Sequence, residues 1–255
     1  TSLSGTQAEV TAALAAGSLT GWPGAVNVSL TDNVTLAQAD AIAKNGKIGA
    51  GVVTATVVDT VANLKTNTAE AGNAYTIQIS DASLAAVDLT AIDANTTVAV
   101  DVSLVSTITG TQAEVVAAYT ANNTAKTVVG LGNEAITVSD ATITAAQANT
   151  TAALTSGVVT ATLSDTAANL ANLTETNNAY AVTVSDVGTV SAANLLKIDA
   201  ASTGSVNASA IGGISGTATE VAAVYAAAAA GTITGLGNEA VTLSDAGITA
   251  ARRGA

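Results

Sequence analysis

The chain has 255 residues, of which 49% are hydrophobic, so it can form a core and is not disordered through low hydrophobicity. It has no Cys and no His, which excludes disulfides, the usual zinc sites and Cys- or His-based catalysis. The net charge of −12, with only seven Lys and Arg residues, argues against nucleic acids and anionic membrane surfaces as partners.

Nine short strand phrases follow one another along the chain, and most of them alternate apolar and polar residues with a period of two. They are AVNVSL from Ala25, VTATVVD from Val53, YTIQISD from Tyr75, VAVDVSL from Val98, AITVSD from Ala135, VTATLSD from Val159, YAVTVSD from Tyr180, SVNASA from Ser205 and AVTLSD from Ala240. We call each phrase, with the helical stretch that follows it, a rung.

The alternation predicts one buried and one solvent-facing side for each strand. The predicted buried side contains Ile77, Ile79, Val100, Val102, Ile136, Val138, Val182, Val184, Val241 and Leu243. The opposite side, which we call the Ser/Thr face, contains Thr56, Ser80, Thr137, Ser139, Thr162, Ser164, Thr183, Ser185, Thr242 and Ser244. Rows of small polar residues suit self-association of sheets, contact with a glycan or ordering of water, but also a merely solvated face.

The stretches between the strand phrases are predicted to be helical, among them Thr111–Asn122 and Ser83–Asn95. Several open with a capping box, in which a Thr and a Glu or Gln three residues later satisfy the free amides of the first helical turn. The predicted boxes are Thr6–Glu9, Thr35–Gln38, Thr111–Glu114, Thr144–Gln147 and Thr217–Glu220.

A long repeat is superimposed on the rungs. GLGNEAITVSD starts at Gly130 and GLGNEAVTLSD starts at Gly235, 105 positions later. SGTQAE at Ser4 likewise returns as TGTQAE at Thr109 and as SGTATE at Ser215. The chain therefore holds a little under two and a half long repeats, each of four to five strand–helix rungs.

The spacing of about 22 to 25 residues in most rungs is shorter than an ordinary βαβ unit and is typical of leucine-rich-repeat-like solenoids. The sequence therefore predicts one right-handed α/β solenoid over residues 1–255. A parallel β-sheet would form one side and helices the other, over about nine rungs.

Three phrases, GLGNEAVTLSD, VVTATLSDTAANLANL and NAYAVTVSD, resemble repeats of long, low-charge surface proteins of marine cyanobacteria. The resemblance extends over essentially the whole chain. It implies a repeat protein at the cell surface or outside the cell.

Six rungs end in an aspartate, and stacking would bring these carboxylates close together. This Asp column consists of Asp59, Asp81, Asp140, Asp165, Asp186 and Asp245. Two carboxylates about 5 Å apart repel by roughly 3 kcal/mol at an effective dielectric constant of about 20, so something must relieve the repulsion. Either Ca²⁺ bridges the column, with Asp140, Asp165 and Asp186 as candidate ligands, or each Asp caps its own turn through backbone N–H groups.

Catalysis is not expected, because no His activates the many Ser residues and no nucleophile elbow is present. No cofactor is expected apart from the possible Ca²⁺. The sequence favours a structural segment of a large extracellular or cell-surface protein, acting as a rigid spacer or as the body of a self-assembling fibre. Its partner would be itself, end to end or sheet to sheet, without membrane insertion. The alternative is a module that binds a glycan, a partner surface or ice through the Ser/Thr face.

Overall fold

The structure is a computed structural model that describes residues 1–16, 24–66, 73–96 and 98–246. The chain divides into two compact units, unit 1 (Thr1–Glu134) and unit 2 (Ala135–Ala255). Both units combine helices with parallel strands, so the predicted α/β class is confirmed. The single array over residues 1–255 stays a prediction.

Unit 1 is built around a parallel sheet. Its described strands are β1 (Ser2–Gly5), β2 (Asn27–Val34), β3 (Val53–Asp59), β4 (Ala74–Ile79), β5 (Ser83–Ala85), β6 (Val100–Asp101), β7 (Thr107–Gly110) and β8 (Val128–Val129). Its described helices are α1 (Gln7–Ala15), α2 (Leu36–Ala43), α3 (Val61–Leu64), α4 (Ala86–Asp93) and α5 (Gln112–Thr120), and α5 runs into a π-helical segment, Ala121–Ala125. Six strands pair in the order β1-β2-β3-β4-β6-β8, and β5 pairs with β7 in a separate ladder.

Unit 2 repeats this plan. Its described strands are β9 (Ala135–Val138), β10 (Val159–Asp165), β11 (Ala179–Val184), β12 (Thr189–Ser191), β13 (Val206–Asn207), β14 (Gly213–Gly216), β15 (Ile233–Thr234) and β16 (Ala240–Leu243). Its described helices are α6 (Ala145–Ala152), α7 (Ala167–Leu170), α8 (Ala192–Ala200) and α9 (Ala218–Ala230). Strands β9, β10, β11, β13 and β15 pair in that order, and β12, β14 and β16 form a second parallel sheet.

All five predicted capping boxes are confirmed. In each box the Thr side chain accepts from the backbone N–H of the third helical residue, and the Glu or Gln side chain accepts from the Thr N–H. In α1, for example, Thr6 N lies 2.8 Å from Glu9 Oε2. These local signals therefore place the helix starts correctly.

The predicted helix from Ser83 is wrong at its start. Ser83–Ala85 forms β5 and pairs in register with Thr107–Thr109 of β7, and α4 begins only at Ala86. Ala85 stands at the N-cap and has no side-chain oxygen to hold a first turn, so the ladder determines the backbone there. In the rungs that contain β4 and β11, a second short strand, β5 or β12, precedes the helix.

The core is made of small and branched aliphatic residues with three tyrosines. Tyr75, Tyr119 and Tyr180 are all buried. Within unit 1 the register pairs Val57 with Ile77, and both side chains are buried. No helix among the described residues is long and apolar enough to cross a membrane.

Candidate functional site

The Ser/Thr face lies where the alternation places it. Eight of its ten residues are exposed, and Ser164 and Thr183 are half-buried. The intervening Val138, Leu163 and Val184 are buried. The predicted register of the central rungs is therefore confirmed.

The last rung departs from this pattern. Val241 and Leu243, predicted to be buried, are 47% and 38% exposed. Their strand, β16, pairs with β14, and no second strand pairs with it among the described residues. Burial here depends on a neighbouring rung, so the pattern of a single strand cannot predict it.

The strand register brings small residues, among them Ser164 and Thr183 of the Ser/Thr face, into rows. In unit 1, Ser4, Ser29, Thr54 and Ala74 stand in one row across four strands. In unit 2, Ser164 pairs with Thr183, which pairs with Asn207, which pairs with Thr234. Short side chains in register make a surface that another flat surface can approach closely.

Aspartates of the Asp column cap the first turns of helices in the preceding rungs. Five of its six residues, Asp59, Asp81, Asp165, Asp186 and Asp245, accept a hydrogen bond from the first backbone N–H of the helix one rung earlier, an amide that the helix itself leaves unsatisfied. The pairs are Leu36 N with Asp59 at 2.9 Å, Val61 N with Asp81 at 2.7 Å, Ala145 N with Asp165 at 3.2 Å, Ala167 N with Asp186 at 2.6 Å and Ala218 N with Asp245 at 2.5 Å. The prediction that these aspartates accept backbone N–H groups is thus correct. The bonds listed here, however, join two rungs, whereas each Asp was predicted to cap its own turn.

Asp59 and Asp165 also cap their own turns. Asp165 Oδ1 accepts from Thr166 N at 2.8 Å and from Asn169 Nδ2 at 2.7 Å. Asp59 makes the equivalent bonds to Thr60 N and Asn63 Nδ2. Burial alone would raise the pKa of these carboxyls, but the hydrogen bonds outweigh it and hold each pKa below its ordinary value.

Asp32 belongs to the same column and was missed in the sequence. It accepts from Gln7 N of α1 at 2.8 Å. Its rung reads SLTD where other rungs read SD, and the pairing of β2 with β3 shifts register between Ser29 and Asn33. The available signal was the position of Asp32 three residues before Thr35, the capping-box Thr of α2.

The geometry gives no support to a calcium column. Among the described residues, no group of three or more acidic side chains is placed to hold a metal ion. Carboxylate oxygens of Asp165 and Asp186 accept backbone N–H groups, and Asp140 lies in the turn after β9. Amide donors therefore provide the charge stabilisation that the calcium hypothesis assigned to ions.

The repeated phrase GLGNEA closes a loop between rungs. Gly130 has φ 101° and packs so closely that a Cβ would lie 2.7 Å from Ser103 N. Glu134, which is 1% exposed, accepts from the Tyr119 hydroxyl at 2.7 Å and from Gly132 N at 2.8 Å. Within the phrase, the glycine thus packs against the backbone of Ser103 and the glutamate bonds to Tyr119 of α5.

The phrases SGTQAE and NAY have similar structural roles. A Cβ on Gly110 would lie 3.1 Å from Glu114 Oε2, so glycine before the capping Thr leaves room for the Glu to fold back. In NAY, Asn178 Oδ1 accepts from Val159 N at 2.9 Å, and Asn73 does the same for Val53 N. Each Asn thus bonds the start of the preceding strand.

Two shallow grooves lie at equivalent places between consecutive helices. The groove between α6 and α7 has a volume of about 220 Å³ and is lined by Asn149, Asp165, Asn169 and Asn172 among others. The groove between α2 and α3 has about 350 Å³ and is lined by Asp40, Lys44, Asn63 and Thr66 among others. Asn149, Asn169 and Asn172 already bond to neighbouring protein groups, so this groove is part of the helix packing.

Comparison with known proteins assigns no class to the chain. A scan against protein-family models, a search of curated proteins and a search of solved structures each found no match.

Proposed function

We propose that the chain is a structural repeat segment of a large extracellular or cell-surface protein. In this proposal the rungs form a right-handed α/β solenoid of about nine rungs that acts as a rigid spacer or as the body of a self-assembling fibre. No catalysis is involved. Nine rungs at a strand spacing of roughly 4.8 Å would extend for on the order of 40 Å.

The observation that carries this proposal is the use made of the recurring polar residues. Side chains of the Asp column and of Asn73 and Asn178 bond to backbone groups of the preceding rung. A catalytic or binding site would instead bring singular polar groups together at one place. The resemblance to surface repeat proteins supports the extracellular location.

Deletion of one long repeat from the chain tests whether the rungs form a solenoid. In a solenoid each rung contacts only its neighbours, so an in-phase deletion leaves every remaining interface intact. Deleting residues 131–235 joins Gly130 to Leu236 and restores the phrase GLGNEA. We expect this variant to retain the circular dichroism per residue and a cooperative thermal transition.

The matched control deletes residues 131–225, which is ten residues fewer, and joins Gly130 to Ala226 out of phase with the long repeat. We expect this control to lose the cooperative transition. If the in-phase deletion also unfolds, or if both deletions fold equally well, the nearest-neighbour architecture is wrong.

The row of small residues favours one second function, a module that binds a glycan, a partner surface or ice through the Ser/Thr face. Thr137 and Thr162 are exposed on adjacent strands, so a ligand could contact both. A glycan array and a thermal-hysteresis measurement test this function, with Thr162→Arg as the disabling variant. Binding by the wild-type chain that Thr162→Arg abolishes would favour the module over the spacer.

A further inference from the structure

The turn that follows α2 contains the one Asn-Gly pair in the sequence, Asn45–Gly46. Residues 44–52 separate α2 from β3, whereas the shorter stretch 153–158 separates α6 from β10, the equivalent elements of unit 2. That shorter stretch reads ALTSGV and has no Asn. Unit 1 therefore carries a longer turn with a pair of residues that its counterpart lacks.

Gly46 presents an unhindered backbone nitrogen. It is exposed, and a Cβ built on it would meet no atom within 4 Å. Its N–H has no hydrogen-bond acceptor among the residues that the structure describes, whereas the N–H groups of Asn45 and Ile48 are bonded within the turn. Because glycine has no side chain, nothing beside this nitrogen obstructs an approaching carbon atom.

The Asn45 side chain is folded over the same nitrogen. Its Oδ1 accepts from Lys47 N at 3.1 Å, which holds the side-chain amide across the Gly46 peptide as in an Asx turn. The bond also polarises the side-chain carbonyl and stabilises negative charge that develops on Oδ1. Two reacting groups that the fold already holds together react faster than two free ones.

We propose that Asn45 is a site of spontaneous modification, at which the chain converts its own asparagine to isoaspartate and aspartate without an enzyme. Gly46 N attacks Asn45 Cγ, its proton passes to the side-chain nitrogen, and ammonia leaves, which closes a succinimide ring. Water then adds to one carbonyl carbon of the ring and breaks the bond from that carbon to Gly46 N. Addition at Cγ gives aspartate, and addition at the backbone carbonyl carbon gives isoaspartate, in which the backbone runs through the former side chain.

The isoaspartate product loosens the attachment of this turn to β2 and α1. Ile48 is fully buried; its N–H donates to Asn45 O at 3.0 Å, and its carbonyl accepts from Val26 N, just before β2, at 2.9 Å. The ammonium of Lys47 bonds to carbonyl oxygens at the end of α1. Isoaspartate adds a methylene group to the backbone ahead of both residues, and aspartate does not. Only isoaspartate therefore displaces Ile48 and Lys47.

Incubation of the full chain at neutral pH, followed by digestion with a protease that cuts before aspartate, tests the proposal. The peptide 40–58 contains Asn45 as its only side-chain amide, so the mass gain of an amide that becomes a carboxylate is assigned to that residue. Aspartate at this position creates a new cleavage site, whereas isoaspartate does not. Both products should appear, because direct hydrolysis of the side chain would give aspartate alone.

The same digest supplies an internal control. The peptide 32–39 contains Asn33, which is exposed but precedes the branched Val34. We expect Asn33 to stay unmodified over the interval in which Asn45 reacts.

A variant and a synthetic peptide separate the contributions of sequence and fold. Gly46→Ala places a Cβ beside the attacking nitrogen without a clash, so modification should be at least about tenfold slower and the melting temperature unchanged. A synthetic peptide of residues 43–50 measures the reactivity of the sequence alone. The folded chain should react within about tenfold of this peptide, because the turn leaves the nitrogen open.

Hydrogen exchange tests the displacement of Ile48. The isoaspartate form separates from the unmodified chain by anion exchange, since it carries one more negative charge. We expect the amides of Val26 and Ile48 to exchange at least about tenfold faster in this form. Asn45→Asp is the matched control, because it adds the charge without the methylene group, and it should exchange like the wild type.

A folded chain whose peptide 40–58 stays unmodified, aspartate formed without isoaspartate, or a Gly46→Ala variant that reacts as fast as the wild type overturns the proposal. Equal exchange in the isoaspartate form and the unmodified chain overturns its structural consequence. The proposal does not depend on the spacer function, which the deletion variants judge separately.

Discussion

Single residues of the Asp column each hold two rungs together. Asp165 accepts from Ala145 N in the preceding rung and from Thr166 N in its own turn. Replacing it with alanine leaves these partly buried donors without an acceptor, which costs about 1–3 kcal/mol. We expect urea denaturation to show this loss for Asp165→Ala. Thr162→Ala, an exposed change on the same strand, should stay within about 0.5 kcal/mol of the wild type.

The same residue should contribute to acid sensitivity. The pKa of Asp165 is lowered in the folded chain, so its contribution is present above the unfolded pKa of about 3.9 and is lost as the pH falls through the folded pKa. The stability difference between Asp165→Asn and the wild type should therefore shrink below about pH 4. A difference that stays constant from pH 7 to pH 2 would contradict the assigned hydrogen bonds.

Gly130 shows why a repeated glycine cannot vary. Its φ of 101° is strained for any other residue, and a Cβ would meet the backbone of Ser103. We expect Gly130→Ala to destabilise the chain by about 2 kcal/mol or more, measured by thermal and urea unfolding. Gly188→Ala is the control, because a Cβ at Gly188 meets no atom within 4 Å, and it should change stability by less than about 1 kcal/mol.

Because Tyr180 is buried, we expect the folded chain to lose stability at alkaline pH. Burial and, after it, the negative charge of Glu175 raise the pKa of its hydroxyl to about 12. A raised pKa gives a contribution that is complete below the unfolded value of about 10 and is lost as the pH rises toward 12. We expect stability to fall over that interval, and Tyr180→Phe to flatten the fall. An equally steep fall in Tyr180→Phe would assign the alkaline step to other groups.

At the scale of elements, the helix caps offer a matched comparison. Thr60 and Thr166 both stand at the N-cap of a four-residue helix, but only the Thr166 side chain accepts from the third helical N–H. Thr166→Ala should therefore cost about 1 kcal/mol, whereas Thr60→Ala should cost clearly less. Equal losses in urea denaturation of the two variants would show that the cap bond of Thr166 adds nothing.

Elements whose signals are local could be predicted from the sequence. The capping boxes, the strand phrases and the register of the Ser/Thr face depend on residues a few positions apart, and they were predicted correctly. Ser83–Ala85 was misassigned because its strand exists only through pairing with Thr107–Thr109. Asp32 was missed because two extra residues, Leu30 and Thr31, displace it from the phrase that marks the other members of the Asp column.

The molecule as a whole depends on bonds between consecutive rungs. The cap of α2 comes from Asp59 and that of α3 from Asp81, each one rung further along the chain. A rung with neighbours on both sides therefore has the first N–H of its helix hydrogen-bonded, its strand paired and its apolar side buried. Exposure of Val241 and Leu243 could not be predicted from the phrase AVTLSD, because burial in such an arrangement is a property of the neighbour.

This dependence predicts a gradient of local stability that hydrogen exchange can measure. Strands β9 and β16 carry nearly the same phrase, but β9 lies beside β10, while β16 is exposed at all four residues. Local opening of β16 exposes little additional apolar surface, so its free energy of opening is smaller. In dilute protein at low salt, where copies repel, we expect the amides of Val241–Leu243 to exchange at least about tenfold faster than those of Ile136–Val138, a difference of about 1.4 kcal/mol. Equal protection would mean that β16 is as stable as an interior strand. The exposed apolar side chains would then not weaken the last rung, and the argument that each rung depends on its neighbours would fail.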